Sequence, residues 1–142
     1  MNKREKIIEE ARSWKGTSWK HQGRLKFVGC DCVGLAVQVG IAIGVLPADM
    51  EVNGYARYPD PPELIRRLNL YMDRVKASER LGGDVLLLKP YRLPQHLAIL
   101  TFDGTMIHAI DKTRGVAEHR LDEIWTKSIV GVWRYRGVDE DL

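Results

Sequence analysis

A chain of 142 residues, 44% apolar and 29% charged, has the length and balance of one soluble globular domain with a single sizeable core. Two cysteines exclude a disulfide scaffold, and a net charge of +3, scattered without blocks of like sign, gives no sign of a nucleic-acid-binding arm. No stretch approaches the length of a membrane span. Met1-Asn2-Lys3-Arg4-Glu5-Lys6 opens an amphipathic segment, not a secretory leader, so the chain is expected to be made in the cytoplasm and, if it works outside, to leave by another route.

Residues 3 to 14 place Ile7, Ile8, Ala11 and Trp14 at helical spacing, with Asn2 as N-cap and Gly16 as the stop. Residues 15 to 31 are polar and aperiodic and read as a loop. From Cys32 to Val45 nearly every residue is apolar, the pattern of a central helix buried on most faces, ended by Leu46-Pro47. Residues 47 to 62 carry four prolines with Gly54, Tyr55 and Tyr58 between them, an irregular loop whose tyrosines could line a groove or simply pack. Pro61-Pro62-Glu63 starts a helix running to about Leu70 or Tyr71. Gly82-Gly83-Asp84 turns into the buried-strand run Val85 to Leu88, and His96 to Phe102 reads as a second strand. Asp103-Gly104 is a two-residue hairpin signal that returns the chain through Thr105 to Ile110. Val116 to His119, a short helix from Leu121 to Lys127 and a last strand from Ile129 to Tyr135 follow, then a solvated tail, Asp139 to Leu142. Helices first and adjacent strands afterwards make an α+β domain with a helix packed on an antiparallel sheet; residues 1–142 form one domain.

The chemistry concentrates in Gly29-Cys30-Asp31-Cys32-Val33-Gly34-Leu35. Cys32 heads the central helix, where free N–H groups and the helix dipole favour a thiolate. Against the nucleophile reading stands a plainer one, in which both cysteines are small apolar residues of the core. The histidines divide in the same way. A two-residue turn pairs 102 with 105 and 99 with 108, which sets His96 and His108 three residues apart along adjacent strands. That odd offset puts them on opposite faces unless a bulge or a longer turn shifts the register.

Asp31-Cys32-Val33-Gly34-Leu35 resembles the Asp-Cys-Ser-Gly-Leu motif of the NlpC family of papain-like cell-wall cysteine peptidases. His96-Leu97-Ala98-Ile99 and Met106-Ile107-His108-Ala109 are similar to that family's two histidine runs in order and in their spacing of twelve. Gly82-Gly83-Asp84-Val85 resembles its Pro-Gly-Asp-Leu turn, and Gly16-Thr17-Ser18-Trp19 its Gly-Thr-Pro-Tyr entry segment. The likeness spans roughly residues 5 to 135. The run from Trp19-Lys20-His21-Gln22 through Cys32 further resembles a branch encoded in phage tail-gene clusters.

The resemblance implies a papain-like fold in which Cys32 is the nucleophile, His96 its base and His108 the residue that orients His96, both histidines lying near the thiol. It implies an oxyanion held by the Cys32 N–H and a donor from the entry loop. The family's entry-segment aromatic, usually Tyr, lies beside the Cys; here Trp19 is the nearest match, without a hydroxyl, and His21 is the second candidate. Trp19, His21, Tyr55 and Tyr58 are the expected substrate-binding residues. Asp31 is expected to cap the helix, Cys30 to be incidental, and His119 to be a surface strand residue. Val33 stands where the family has Ser.

The implied substrate is the peptide stem of bacterial peptidoglycan, an anionic polymer that suits a mildly basic surface. Phage tail or baseplate proteins are the implied partners and a virion tail the implied location. No cofactor, resident metal or nucleic-acid partner is expected. A structural tail component with weak or no hydrolysis is the alternative. A metal site from Cys30, Cys32 and two histidines fits poorly, because Cys-x-Cys is tighter than the usual zinc spacing.

Overall fold

The computed structural model describes residues 1–57 and 59–140. Helix α1 (Lys3–Ser13) begins where the Asn2 side chain accepts from the Glu5 N–H, and it turns Ile7, Ile8 and Ala11 inward. The expected loop after it carries a small hairpin, β1 (Arg24–Leu25) against β2 (Gly29–Cys30). Helix α2 (Cys32–Ile43) is buried along most of its length and stops at Gly44, whose left-handed backbone (φ 81°) closes its last turn. The stop therefore falls before Leu46-Pro47, because glycine adopts that conformation without a steric penalty.

Helix α3 (Pro61–Tyr71) starts with two prolines and the Asp60 cap, then runs directly into β3 (Met72–Val75), a strand absent from the sequence expectation. After a 3-10 turn, β4 (Val85–Leu88), β5 (His96–Leu100), β6 (Thr105–Ala109) and β7 (Val116–Arg120) follow, then α4 (Glu123–Lys127) and β8 (Ile129–Tyr135). The six long strands form one antiparallel sheet in the order β3-β8-β4-β5-β6-β7. Its alternating side chains feed two clusters. Leu87, Leu97, Ile99 and Ile107 pack with α1 and α2, whereas Leu86, Leu88, Ala98, Leu100 and Met106 pack with Trp125 on the opposite face.

A buried ionic knot locks α1 to the sheet. Asp84, wholly buried, accepts from Arg4 at 3.0 Å, from Arg134 at 3.0 and 2.9 Å, and from the Leu81 N–H at 2.8 Å. Arg4 also donates to both carboxylate oxygens of Asp139, at 2.6 and 3.0 Å, so the tail, solvent-exposed here as expected, is also tethered to α1. That contact, with the charge of Asp84, holds the Arg4 guanidinium above its ordinary range despite its burial.

The β5–β6 hairpin corrects the expected register. Ile99 pairs with Ile107 and Leu100 with Met106, and the Thr101 N–H donates to the Thr105 carbonyl. The loop is therefore three residues long, Phe102-Asp103-Gly104, with Gly104 at φ 73° in the left-handed position that such loops use. The extra residue shifts the ladder by one. Carried one residue on from Ile99 and Ile107, that register sets His108 level with Ala98, two residues from His96, so both histidines share a face.

Candidate active site

Cys32 is placed by the cap of its helix. Asp31, extended at φ −106°, accepts from the Gly34 N–H through Oδ1 at 2.8 Å. Its Oδ2 accepts from the Gln22 N–H at 2.8 Å and from the Tyr55 hydroxyl at 2.6 Å. Arg24 reaches Asp31 at 3.4 Å and donates to the Tyr55 hydroxyl at 3.0 Å and to the Val52 carbonyl. One buried carboxylate thus joins the helix start, the entry segment and the proline-rich loop. Gly34 is required by this crossing, since a Cβ there would collide with the carbonyl oxygen of Gly23.

Trp19 is set beside the thiol by a strand-like bridge to Cys30, with the Cys30 N–H donating to Ser18 and the Lys20 N–H to Cys30. The Arg57 guanidinium lies over the Trp19 ring, 4.9 Å from its centroid. These groups and the start of β5 enclose a cleft of about 100 Å³ whose lining includes Cys32, His96, Trp19, Tyr55, Arg57 and Gln95. Cys32 and His96 therefore open on one space. His21 is not part of this lining. It stands edge-on to Tyr55 at 5.5 Å, with its buried Nδ1 3.9 Å from Asp31 Oδ2 and without a hydrogen-bond partner among the described residues. Tyr58 lies outside the described residues. Tyr55 borders the cleft, but its hydroxyl is committed to Asp31 and Arg24; burial, with the Asp31 contact, raises its pKa well above the ordinary tyrosine value.

The base candidate is held from behind. His96 Nε2 lies 2.5 Å from His108 Nδ1, and His108 is wholly buried. His119, expected at the surface, instead approaches His108 with Nε2 2.6 Å from His108 Nε2. Trp125 covers all three rings, with centroids 6.4, 5.4 and 5.5 Å from His96, His108 and His119. The signal for His119 lay in the ladder: Ala117 faces His108, so residue 119 shares its side of the sheet. These nitrogens touch directly, whereas two imidazoles on one zinc ion, each about 2.0–2.1 Å from it, stand well over 3 Å apart. Among the described residues no group of three or more His, Cys, Asp or Glu is arranged to hold a metal ion.

Electrostatics set the resting protonation. Burial pushes the Cys32 thiol up to about 12, and the neighbouring Asp31 charge adds to that; the amides of Leu97, Val33 and Cys32 act in the opposite sense. Burial drives His96 down to about 4, with His119 contributing. Burial and the two flanking imidazoles drive His108 to about 2. Burial thus favours the neutral thiol and the neutral imidazole, in opposition to the thiolate that the helix start favours. Cys30, also buried, is pushed up to about 12 and is not part of the cleft lining that Cys32 shares with His96.

A capped helix carrying a thiol, laid on an antiparallel sheet that carries a histidine at the same cleft, is the build of a papain-like α+β protein. The sequence profile of the NlpC/P60 family matches residues 13–134. The chain therefore belongs to the NlpC/P60 family. Its fold is similar to an NlpC/P60 family protein from Bacillus cereus (TM-score 0.68, 20% identity, covering 93% of this chain and 40% of that one). It is likewise similar to the NlpC/P60 domain of the peptidoglycan hydrolase SagA (0.64, 20%, 92% and 97%). A third likeness is to the peptidoglycan hydrolase RipB of Mycobacterium tuberculosis (0.61, 22%, 94% and 64%). The chain thus spans less than two thirds of the Bacillus and Mycobacterium proteins. No curated protein matches it.

Proposed function

We propose that the protein is a cysteine peptidase or amidase that hydrolyses peptide stems of bacterial peptidoglycan, with Cys32 as nucleophile, His96 as base and His108 as the residue that orients His96. The observation that carries this reading is the shared cleft of Cys32 and His96, together with the 2.5 Å contact that fixes the His96 ring against His108. Membership of the NlpC/P60 family supports the hydrolase class, and the likeness to SagA and RipB supports the cell-wall substrate.

The neutral resting pair defines the order of events. As a stem carbonyl enters the cleft, Sγ attacks its carbon while the thiol proton passes to the His96 nitrogen that His108 does not engage. The Cys32 backbone N–H and a donor from the entry loop hold the resulting oxyanion. Collapse breaks the C–N bond, and His96 returns the proton to the departing amine. Water, deprotonated by His96, then cleaves the thioester and restores the thiol. Trp19 and Arg57 form a flat cationic wall suited to a carboxylate-bearing stem.

Delivery in a phage or phage-like tail is part of the proposal, resting on the resemblance of residues 19–32 to tail-encoded relatives. The alternative, a structural tail component with little hydrolysis, is favoured by one feature: Leu25, Phe27 and Val28 at the β1–β2 tip are 62, 70 and 60% exposed. Digestion of purified peptidoglycan decides between them. The proposal expects release of stem fragments that Cys32→Ala abolishes and Cys30→Ala leaves intact; equal release by wild type and Cys32→Ala would overturn it.

A further inference from the structure

The contacts of His119 fix the direction of every hydrogen bond behind the base. His119 Nδ1 lies 3.0 Å from the backbone carbonyl oxygen of Arg120. A carbonyl oxygen only accepts, so His119 Nδ1 carries the proton and, in the neutral ring, Nε2 is bare. His108 Nε2, 2.6 Å away, must then donate to it, which leaves His108 Nδ1 bare. His96 Nε2, 2.5 Å from that nitrogen, must donate in turn, and the one bare nitrogen left on His96 is Nδ1.

We infer that His119 is a positioning residue: anchored on the Arg120 carbonyl, it fixes the tautomers of His108 and His96 so that His96 offers Nδ1 as the base for Cys32. The inference rests on the proposed thiol hydrolysis and deepens it. A line of three neutral imidazoles has two possible polarities. In the reverse one, His108 Nδ1–H donates to His96 Nε2, and the His96 proton moves to Nδ1, the nitrogen that must be free to take the thiol proton. The Arg120 carbonyl selects the working polarity. No proton travels along the line during catalysis; His96 becomes an imidazolium and keeps donating through Nε2 to His108.

The sheet makes this geometry possible. The register that pairs Ile99 with Ile107, carried one residue further, sets His108 level with Ala98, and Ala117 pairs with His108 from the other side, so His96 and His119 each sit two residues from the level of His108, on the same face of three adjacent strands. Adjacent rings meet edge to face, 4.8 and 4.7 Å between centroids at 71° in both cases. Trp125 lies against them, and because His108 at the centre is wholly buried, a wrongly aimed donor on its ring is costly.

Nitrogen-15 NMR of the full chain labelled at histidine reads the tautomers directly at neutral pH. The inference expects protons on Nδ1 of His119 and on Nε2 of His108 and His96; a proton on Nδ1 of His96 overturns it. Kinetics on peptidoglycan fragments give the second readout. His119→Phe removes the acceptor, and kcat should fall roughly tenfold, part of the ~10²–10⁴ that a positioned base supplies, with KM changed less than about twofold. In the same variant a signal for Nδ1–H on His96 should appear. His119→Gln, whose side-chain oxygen can accept from His108, should restore both the tautomer and most of the rate. An unchanged His96 tautomer and kcat in His119→Phe would overturn the inference. If wild type releases no fragments, the proposed function fails instead, while the wild-type tautomers still decide the polarity.

Discussion

At the scale of single residues, Asp31 bears more of the site than its place in the motif reveals. The sequence shows an N-cap, and the cap is there; that Oδ2 also holds Gln22 and Tyr55 depends on a loop folding back from twenty-four residues away. Removing the cap alone costs about 1 kcal/mol, and each buried donor left without a partner about 1–3 kcal/mol. Asp31→Ala should therefore lose at least about 3 kcal/mol, read as a lower urea midpoint. The same folding-back decides the fate of the expected substrate contacts. Trp19 reaches the cleft, Tyr55 borders it with its hydroxyl already committed, and His21 packs on Tyr55 away from the lining. No spacing rule distinguishes these outcomes, because contacts between the two loops decide them. The protonation of the site is a residue-scale effect too. With His96 held down near 4, the acid limb of kcat/KM for peptidoglycan fragments should fall below the ordinary imidazole range near 6.5. An acid limb at or above 6.5 would contradict a buried, neutral base.

At the scale of elements, periodicity and caps carry far. Helices α1, α2 and α3 and strands β4 to β8 are legible from apolar spacing, prolines and turn residues, and so is their α+β arrangement. Three things are not. Strand β3 follows α3 without a turn residue to announce it, because the sheet edge formed by β8 supplies the pairing. The β1–β2 hairpin is too short for any period to show. The hairpin loop is three residues instead of two, and that single residue decides whether His96 and His108 can meet. Asp-Gly is a strong turn signal, but it leaves open whether Phe102 belongs to the strand or to the loop. Two glycine substitutions separate crowding from backbone freedom. Gly104→Ala, in open space at φ 73°, should cost only about 1 kcal/mol and leave hydrolysis intact. Gly34→Ala must displace the Gly23 carbonyl and the hairpin beside Cys32, so it should cost several times more and reduce hydrolysis with it. Thermal midpoints and fragment release measured side by side check both.

At the scale of the whole molecule, the buried histidines couple activity to stability. His96 and His108 have folded pKa values near 4 and 2, depressed from an ordinary 6.5 by burial. Above 6.5 they are neutral in both the folded and the unfolded chain, and their contribution is fully present. As pH falls from 6.5 toward 4 the unfolded chain takes up protons that the folded one refuses, so stability declines through that window. Thermal midpoints from pH 7.5 to 4.5 should fall accordingly, and replacing both histidines with glutamine should flatten the profile. The Asp84 knot with Arg4 and Arg134 keeps α1 and the tail on the sheet, so this acid loss is expected to be cooperative across the domain. The proposed hydrolysis depends on one sulfur, that of Cys32. Intact-mass and peptide mass spectrometry after acid quench of the protein mixed with a peptidoglycan stem peptide tests it most directly. An acyl group trapped on Cys32, and absent when His96 is replaced by alanine, is the predicted result. Fragment release with the acyl group on Cys30, or persisting undiminished in Cys32→Ala, would contradict it.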